Sequence, residues 1–274
     1  MTILESISKE ISKKPTQRAW NKLCALFEQG TEEDHKQGLE MIAPKISKWK
    51  KSLTLELAVH ASDPVHPLLP HVEKASITVD GLSEVPQALA TALVKSVLKV
   101  LTLTGCEKLT NVQALASAKK LRQLDIIWAR NLGDLSGLEH LKSLRKLSII
   151  GSYKLSDLSI LQNLKHLTYL NLTEGKFNDL QGLKTLSQIK ILHVPNCRML
   201  RSLEGIQECS ALEYLNFCYC DALQNIQGLA KLTKLKNIDF TNCDYLDVTS
   251  LHHTLLTKPK EIQSCLVAIR NHYA

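Results

Sequence analysis

The chain has 274 residues, 44% of them hydrophobic and 22% charged, with a formal net charge of +7 and eight cysteines. That balance describes a folded, soluble protein and excludes an intrinsically disordered one. The longest apolar stretch, around Gln87 to Leu103, is interrupted by Lys95 and Lys99, which excludes a membrane helix of roughly 18 uninterrupted apolar residues.

The opening segment MTILESISKEISKK carries charges and no apolar centre, so no cleavable secretory signal is expected. Ile3, Ile7 and Ile11 recur at helical spacing, and after Pro15 come Trp20, Leu23, Leu26 and Phe27. Thr31 followed by Asp34 reads as a capping box with a shortened acid. It opens a third helix through Leu39, Met41 and Ile42, which Pro44 ends or kinks. Residues 1–51 are therefore expected to form a helical cap over the apolar edge of whatever follows. About fifty residues build only a small independent core, which argues against a separate partner-binding domain.

Residues 52–97 hold two degenerate repeats. Leu53-x-Leu55 and Ile77-x-Val79 lie 24 apart, and Ile77 lies 24 before Leu101, so the strand spacing of the later chain extends back to here. Pro86 fits the first turn of a helix whose Leu89, Leu93 and Val97 share a face. Between them the loop from His60 to His71 contains three histidines and Asp63. Metal sites with strong sequence signals show tighter paired spacing. Prolines 64, 67 and 70 mark an extended connection, and no metal is expected.

From Leu98 one phrase is repeated seven times: L-x-x-L-x-L, with a small residue three positions on. The copies begin at Leu98, Leu121, Leu144, Leu167, Ile189, Leu212 and Leu235, in steps of 23, 23, 23, 22, 23 and 23 residues. Such a period marks a solenoid. The alternating part, Leu124-x-Ile126 in the second copy, predicts a short strand with two side chains on one face. The second half of each copy has an apolar residue every third position, as in Leu132, Leu135, Leu138 and Leu141, which predicts 3₁₀-like turns. Gly137, Gly182, Gly205 and Gly228 recur at one place in this arch and suggest a backbone turn, not a phosphate loop. One repeat cannot bury its own leucines, so neighbours must stack. After residue 258, Pro259 opens a final helix with Ile262, Cys265, Leu266 and Ile269 on one face, a C-terminal cap over 259–274.

With those seven copies in register, the run resembles the leucine-rich repeat family, in particular the short-repeat type of bacterial internalins and of a eukaryotic phosphatase-regulating repeat protein. The resemblance implies an α/β right-handed solenoid over 52–258: a curved parallel sheet on the concave face, 3₁₀ and irregular structure on the convex side, and helical caps. It also implies a non-enzymatic binding scaffold. The chain departs from the family at the ninth repeat position. The family often places Asn there, and this chain has Cys106, Ala129, Ser152, Gly175, Cys197, Cys220 and Cys243. Thiols are weak donors, so the bend is expected to satisfy its backbone by other means, such as water. Four cysteines at one inward position are packing residues, not a disulfide framework. A reducing, cytoplasmic location is expected, although a bacterial effector injected without a cleaved signal has the same features.

With positions four and six inward, positions three, five and seven must face the opposite side of the sheet. Down the third column stand Tyr169, Ile191 and Tyr214; down the fifth, Asp125, Asn171, His193, Asn216 and Asp239. Ile127 and Ile150 belong to the seventh, and Trp128 and Tyr219 to the eighth, at the rim. Aromatic and branched aliphatic residues on an outward face mark an interaction surface, so these twelve are the candidate partner-binding residues. Strands about 4.8 Å apart give the seven a span of roughly 29 Å, enough for a protein surface. Position two holds Lys99, Arg122, Arg145, Lys190 and Lys236, a broken basic row. It offers an alternative in which an acidic protein or nucleic acid binds this flank.

Catalysis fails on spacing. Ser148 and His193 share the fifth column with Asp125 but are expected two strands apart, roughly 9.6 Å, beyond a nucleophile–base hydrogen bond. His193 and Cys218 are diagonal neighbours at roughly 7–8 Å with no third residue to orient the imidazole. The reading is an intracellular protein-docking module, a regulator or neutraliser of one protein. It needs no cofactor, small-molecule substrate, membrane or nucleic acid.

Overall fold

The computed structural model describes residues 1–45, 54–58, 65–246 and 254–273. Among these residues three helices come first: α1 (Ile3–Ile11), α2 (Gln17–Gln29) and α3 (Glu32–Ile42). Thr31 and Asp34 close the expected capping box at α3, with Asp34 N–H on the Thr31 hydroxyl at 3.2 Å and Thr31 N–H on the carboxylate at 2.9 Å. A second box, Thr2 with Glu5, opens α1. Ile7, Trp20, Leu23, Phe27 and Ile42 are buried between the three helices and the first strands.

Among the described residues, ten strands form one sheet, in chain order. They are β1 (Leu55–Ala58), β2 (Lys74–Thr78), β3 (Val100–Thr104), β4 (Gln123–Ile127) and β5 (Lys146–Ile150), then β6 (Tyr169–Thr173), β7 (Ile191–His193), β8 (Tyr214–Asn216), β9 (Asn237–Asp239) and β10 (Leu255–Leu256). The first nine pair in parallel. The tenth departs from the expected pattern: β10 runs antiparallel to β9, with Leu255 opposite Asp239 and Leu256 opposite Ile238. Positions four and six of every repeat, from Leu101 and Leu103 to Ile238 and Phe240, are buried. The chain returns from one strand to the next through 3₁₀ turns at Gln113–Ser117, Leu138–His140, Ser159–Asn163, Gln181–Leu183 and Gln227–Leu229, each burying a leucine.

The register of the first repeats differs from the sequence reading. Ala75, not Ile77, stands opposite Leu101, and Leu55 stands opposite Ala75. The strand steps are therefore 20 (75 − 55) and 26 (101 − 75), not 24 and 24. Arch length sets them: the second arch holds a true helix, α4 (Gln87–Lys95), and the first, among its described residues, the short turn Leu69–His71. Val79 misled the pattern because it is buried beyond the end of β2. Val97 also lies outside α4, whose inward face is Leu89, Ala90 and Leu93. Leu53, His60, Asp63 and the expected boundary at residues 51 and 52 lie outside the described residues.

Helices pack at both ends of the repeats, as the terminal repeats of a stack need their apolar faces covered. At β1 the Gln17 side chain of α2 imitates a strand, donating to the Thr54 carbonyl at 3.0 Å and accepting the Thr54 N–H at 3.4 Å. At the other end α5 (Pro259–His272) buries Ile262, Cys265, Leu266 and Ile269. The Tyr273 hydroxyl accepts the Ile226 N–H at 3.1 Å and donates to the Gln224 carbonyl at 3.2 Å.

His66 is neither a ligand nor a surface residue. It is 8% exposed, its Nδ1 accepts the Leu68 N–H at 3.2 Å, and its Nε2–H therefore donates to the Cys24 carbonyl at 3.2 Å. One neutral ring thus ties α2 to the first arch, and burial pushes its pKa below the ordinary 6.5. Above pH 6.5 both folded and unfolded rings are neutral. As pH falls through that value the unfolded ring takes a proton that the folded ring refuses, so stability is lost toward acid. We expect the melting temperature to fall between pH 7.5 and 5.5, and His66→Gln to reduce that slope, in thermal unfolding followed by circular dichroism. Gly205 sits at φ 111°, and a Cβ there would overlap the Leu180 carbonyl. Gly205→Ala should cost at least about 2 kcal/mol, read from the urea midpoint.

Candidate docking face

The ladder sorts the outward residues into columns. Asp125, Ser148, Asn171, His193, Asn216 and Asp239 are successive partners across β4 to β9. Gln123, Lys146, Tyr169, Ile191, Tyr214 and Asn237 form the parallel third column. All twelve candidate residues stand on this face or at its rim. Their exposure is uneven. Trp128, Tyr214 and Tyr219 are exposed, whereas Asp125, Ile127, Ile150, Tyr169, Asn171, Ile191, His193, Asn216 and Asp239 are half-buried.

Neighbouring columns bond to each other and stiffen the face. Asn171 donates to the Ser148 hydroxyl at 3.2 Å and accepts from Thr173 at 2.9 Å, and Gln123 donates to Asp125 at 2.8 Å. The Tyr169 and His193 rings pack 5.7 Å apart, tilted by 46°. Burial raises the Tyr169 phenol, helped by the Asp125 charge, and lowers His193, so both rings favour their neutral forms.

Ser148 and His193 are separated by the whole of β6, with Asn171 between them. Ser148 is itself only 7% exposed. The Cys218 thiol is raised by burial and by Asp239, the reverse of what activates a nucleophile. The geometry assembles no nucleophile and base from these residues.

The strand ends carry the feature that sequence reading missed. Trp128, Glu174, Asn196, Tyr219 and Asn242 have φ between 58° and 65°, and Gly105 and Gly151 between 67° and 76°. These seven are the eighth residues of the seven repeats. A left-handed turn follows each of β3 to β9 and swings the chain away from the sheet. Gly and Asn suit that conformation; a residue such as Trp, Tyr or Glu adopts it at a cost of about 1–2 kcal/mol. The turn also throws its side chain outward, and Trp128 and Tyr219 are 50% and 46% exposed.

Beside Trp128 the rim gathers residues from outside the expected set. Gly151 sits between the Trp128 ring and the Glu174 carboxylate, leaving both their places free. The Tyr153 hydroxyl bonds to Glu174, which raises the phenol's pKa. Further along, Met199 and Tyr245 are exposed. Extending the columns to positions ten and eleven would have found them.

The ninth position corrects the sequence reading. Its thiols do not leave the bend to water: Cys197 donates to the Leu172 carbonyl at 3.2 Å, Cys220 to Val194 at 3.1 Å and Cys243 to Phe217 at 3.1 Å. Each acceptor is position six of the preceding repeat, so the thiol closes a bond between repeats. Burial pushes Cys197 and Cys243 up to about 12 and Cys220 higher still, so the proton they donate stays on. At Gly175 the Phe177 ring occupies the place of the missing side chain.

No protein-family model matches the chain, and none of the curated proteins does. Solved structures do match. The leucine-rich repeat domain of the type III effector XopL covers 91% of this chain and 90% of its own, at 18% identity and a TM-score of 0.52. The chain has the leucine-rich repeat fold. Internalin C2 of Listeria monocytogenes is also similar, at 19% identity over 86% of this chain and 91% of its own, with a TM-score of 0.45. In this leucine-rich repeat chain the outward columns and the left-handed rim form one continuous face.

Among the eight cysteines, all but the half-buried Cys218 are buried. Iodoacetamide at pH 8 should therefore modify Cys218 first, and more slowly than a free thiol. Peptide mass mapping against time checks this, and a Cys218 faster than free cysteine would revive a nucleophilic role.

Proposed function

We propose that the chain is a non-enzymatic docking module that holds one protein partner on its concave face, with the Trp128 and Tyr219 side chains as anchors at the rim. One observation carries this reading: two large aromatic residues occupy left-handed positions where four of the other five repeats use Gly or Asn, and both are exposed. Folding alone favours Gly or Asn there. Strained backbone that the fold does not require points to a functional site. Aromatic side chains are also the residues that most often dominate binding energy. The half-buried Ile127, Ile150, Tyr169 and Ile191, with exposed Tyr214, extend the anchors into an apolar strip between polar Asp125, Asn171, His193, Asn216 and Asp239. We place the module in the cytoplasm, where the eight free thiols stay reduced, as a regulator or neutraliser of its partner.

The strain separates stability from binding. Trp128→Gly with Tyr219→Gly should leave the fold as stable or raise it by up to about 2 kcal/mol, because the left-handed cost disappears. The same pair should lose at least about tenfold in partner affinity, since each anchor of this kind carries at least about 2 kcal/mol. Urea denaturation gives the first. Affinity capture from native lysate with quantitative mass spectrometry, followed by titration of the captured protein, gives the second. If both proteins capture the same set equally, the rim is not the docking surface.

A further inference from the structure

The flank at the amino-terminal ends of the strands holds two kinds of cation. Lysines of the position-two row have carboxylates: Lys99 meets Glu73 at 3.0 Å, and Lys190 and Lys236 share Glu213 at 4.0 and 2.5 Å. Arg122 and Arg145, between them, are exposed and make no ion pair among the described residues. Lys119 and Lys142, three residues before each arginine, and Lys146 beside Arg145 are likewise exposed and unpaired among the described residues. Leaving adjacent like charges unneutralised while acids serve both ends of the row is unfavourable for the free protein.

Two hollows adjoin these charges. One, of about 300 Å³, has Lys74, Arg122, Arg145 and Lys146 around Val100, and its one carboxylate, Glu73, is already paired with Lys99. The other, of about 600 Å³, has Leu93, Val94 and Ala116 with Lys119, Lys120 and His140 around them. Val94 is 63% exposed on the outward side of α4, opposite the buried Leu89, Ala90 and Leu93. The stretch Lys119–Arg122 joins the two hollows. Glu139, next to His140, is held by the Gly137 N–H at 2.7 Å and by the His140 ring at 3.4 Å.

We propose that this flank is a second docking surface, which takes an acidic protein segment bearing an apolar side chain beside its carboxylates. Guanidinium groups match carboxylates in a two-pronged geometry that lysine lacks. The Val94 hollow takes the apolar side chain, which a charge-only partner would leave empty. Single-stranded nucleic acid fits less well, because neither hollow contains the Trp, Tyr or Phe that stacks a base. The surface lies at the opposite strand ends from Trp128 and Tyr219, so it stands or falls independently of the aromatic rim.

Fluorescence anisotropy on the full chain tests this, with a fluorescein-labelled peptide of one leucine followed by a run of glutamates. A serine-for-leucine peptide, a DNA duplex and phosphatidylserine vesicles serve as rival ligands. We expect Arg122→Glu with Arg145→Glu to weaken the leucine peptide by at least about tenfold, and Arg122→Gln with Arg145→Gln to weaken it in the same direction. Val94→Ser should bring the leucine peptide down to the affinity of the serine peptide. Lys176→Glu with Lys184→Glu, the same charge change away from the flank, should alter it by less than about twofold. Equal weakening by that control, no loss on either arginine pair, or arginine-dependent binding of the duplex or the vesicles tighter than the peptide overturns the proposal.

Discussion

The parallel backbone ladder is the constraint on which the rest of the molecule depends. Each strand bonds to the next in a register set by one repeat length, so a residue type recurring in sequence becomes a column in space. Inward columns make a continuous leucine core that no repeat could build alone. Outward columns bring residues such as Tyr169 and His193, far apart in the chain, into ring contact. The same ladder keeps Ser148 and His193 apart, because one column position per strand forbids their approach. A surface built this way is broad and shallow, suited to another protein more than to a small molecule.

At each strand end two requirements meet. The chain must turn in a left-handed conformation at position eight, and position nine must fit under the bend while satisfying a carbonyl of the preceding repeat. Thiols do the second in three successive repeats, and they can because burial keeps them protonated. The first requirement is met cheaply by Gly105, Gly151, Asn196 and Asn242 and at a cost by Trp128, Glu174 and Tyr219. Since all seven bends have the same geometry, the costly residues are not there to make it. Trp128 and Tyr219 are also exposed, which is what the proposed docking role requires of them.

The molecule is also asymmetric across its strands. At their carboxyl ends stand Trp128, Tyr153, Tyr219 and Tyr245; at their amino ends stand Arg122 and Arg145, unpaired among the described residues. Burial of apolar surface and meeting of opposite charge respond differently to salt, so the two proposed surfaces are separable by ionic strength. Helices pack at the two ends of the repeats, Gln17 bonding to Thr54 just before β1 and Tyr273 pinning α5 to the last arches.

The solenoid itself was legible in the chain because its signal is periodic. Leucines every 22 or 23 residues specify the core, the strand faces and the outward columns without any knowledge of contacts. The capping box at Thr31 and the apolar face of the last helix were equally readable, since both are interactions within a few residues. What tertiary structure decided is whatever passes between repeats or depends on backbone shape. The steps of 20 and 26 in the first repeats follow from how much each arch must hold. The acceptor of each thiol lies about one repeat away, and the lock formed by His66 reaches back to Cys24. Nothing local announces that Trp128 is left-handed, because the conformation belongs to the bend and not to the residue. Likewise two arginines are distinguished from their lysine neighbours only when the ladder shows which cations have found a carboxylate.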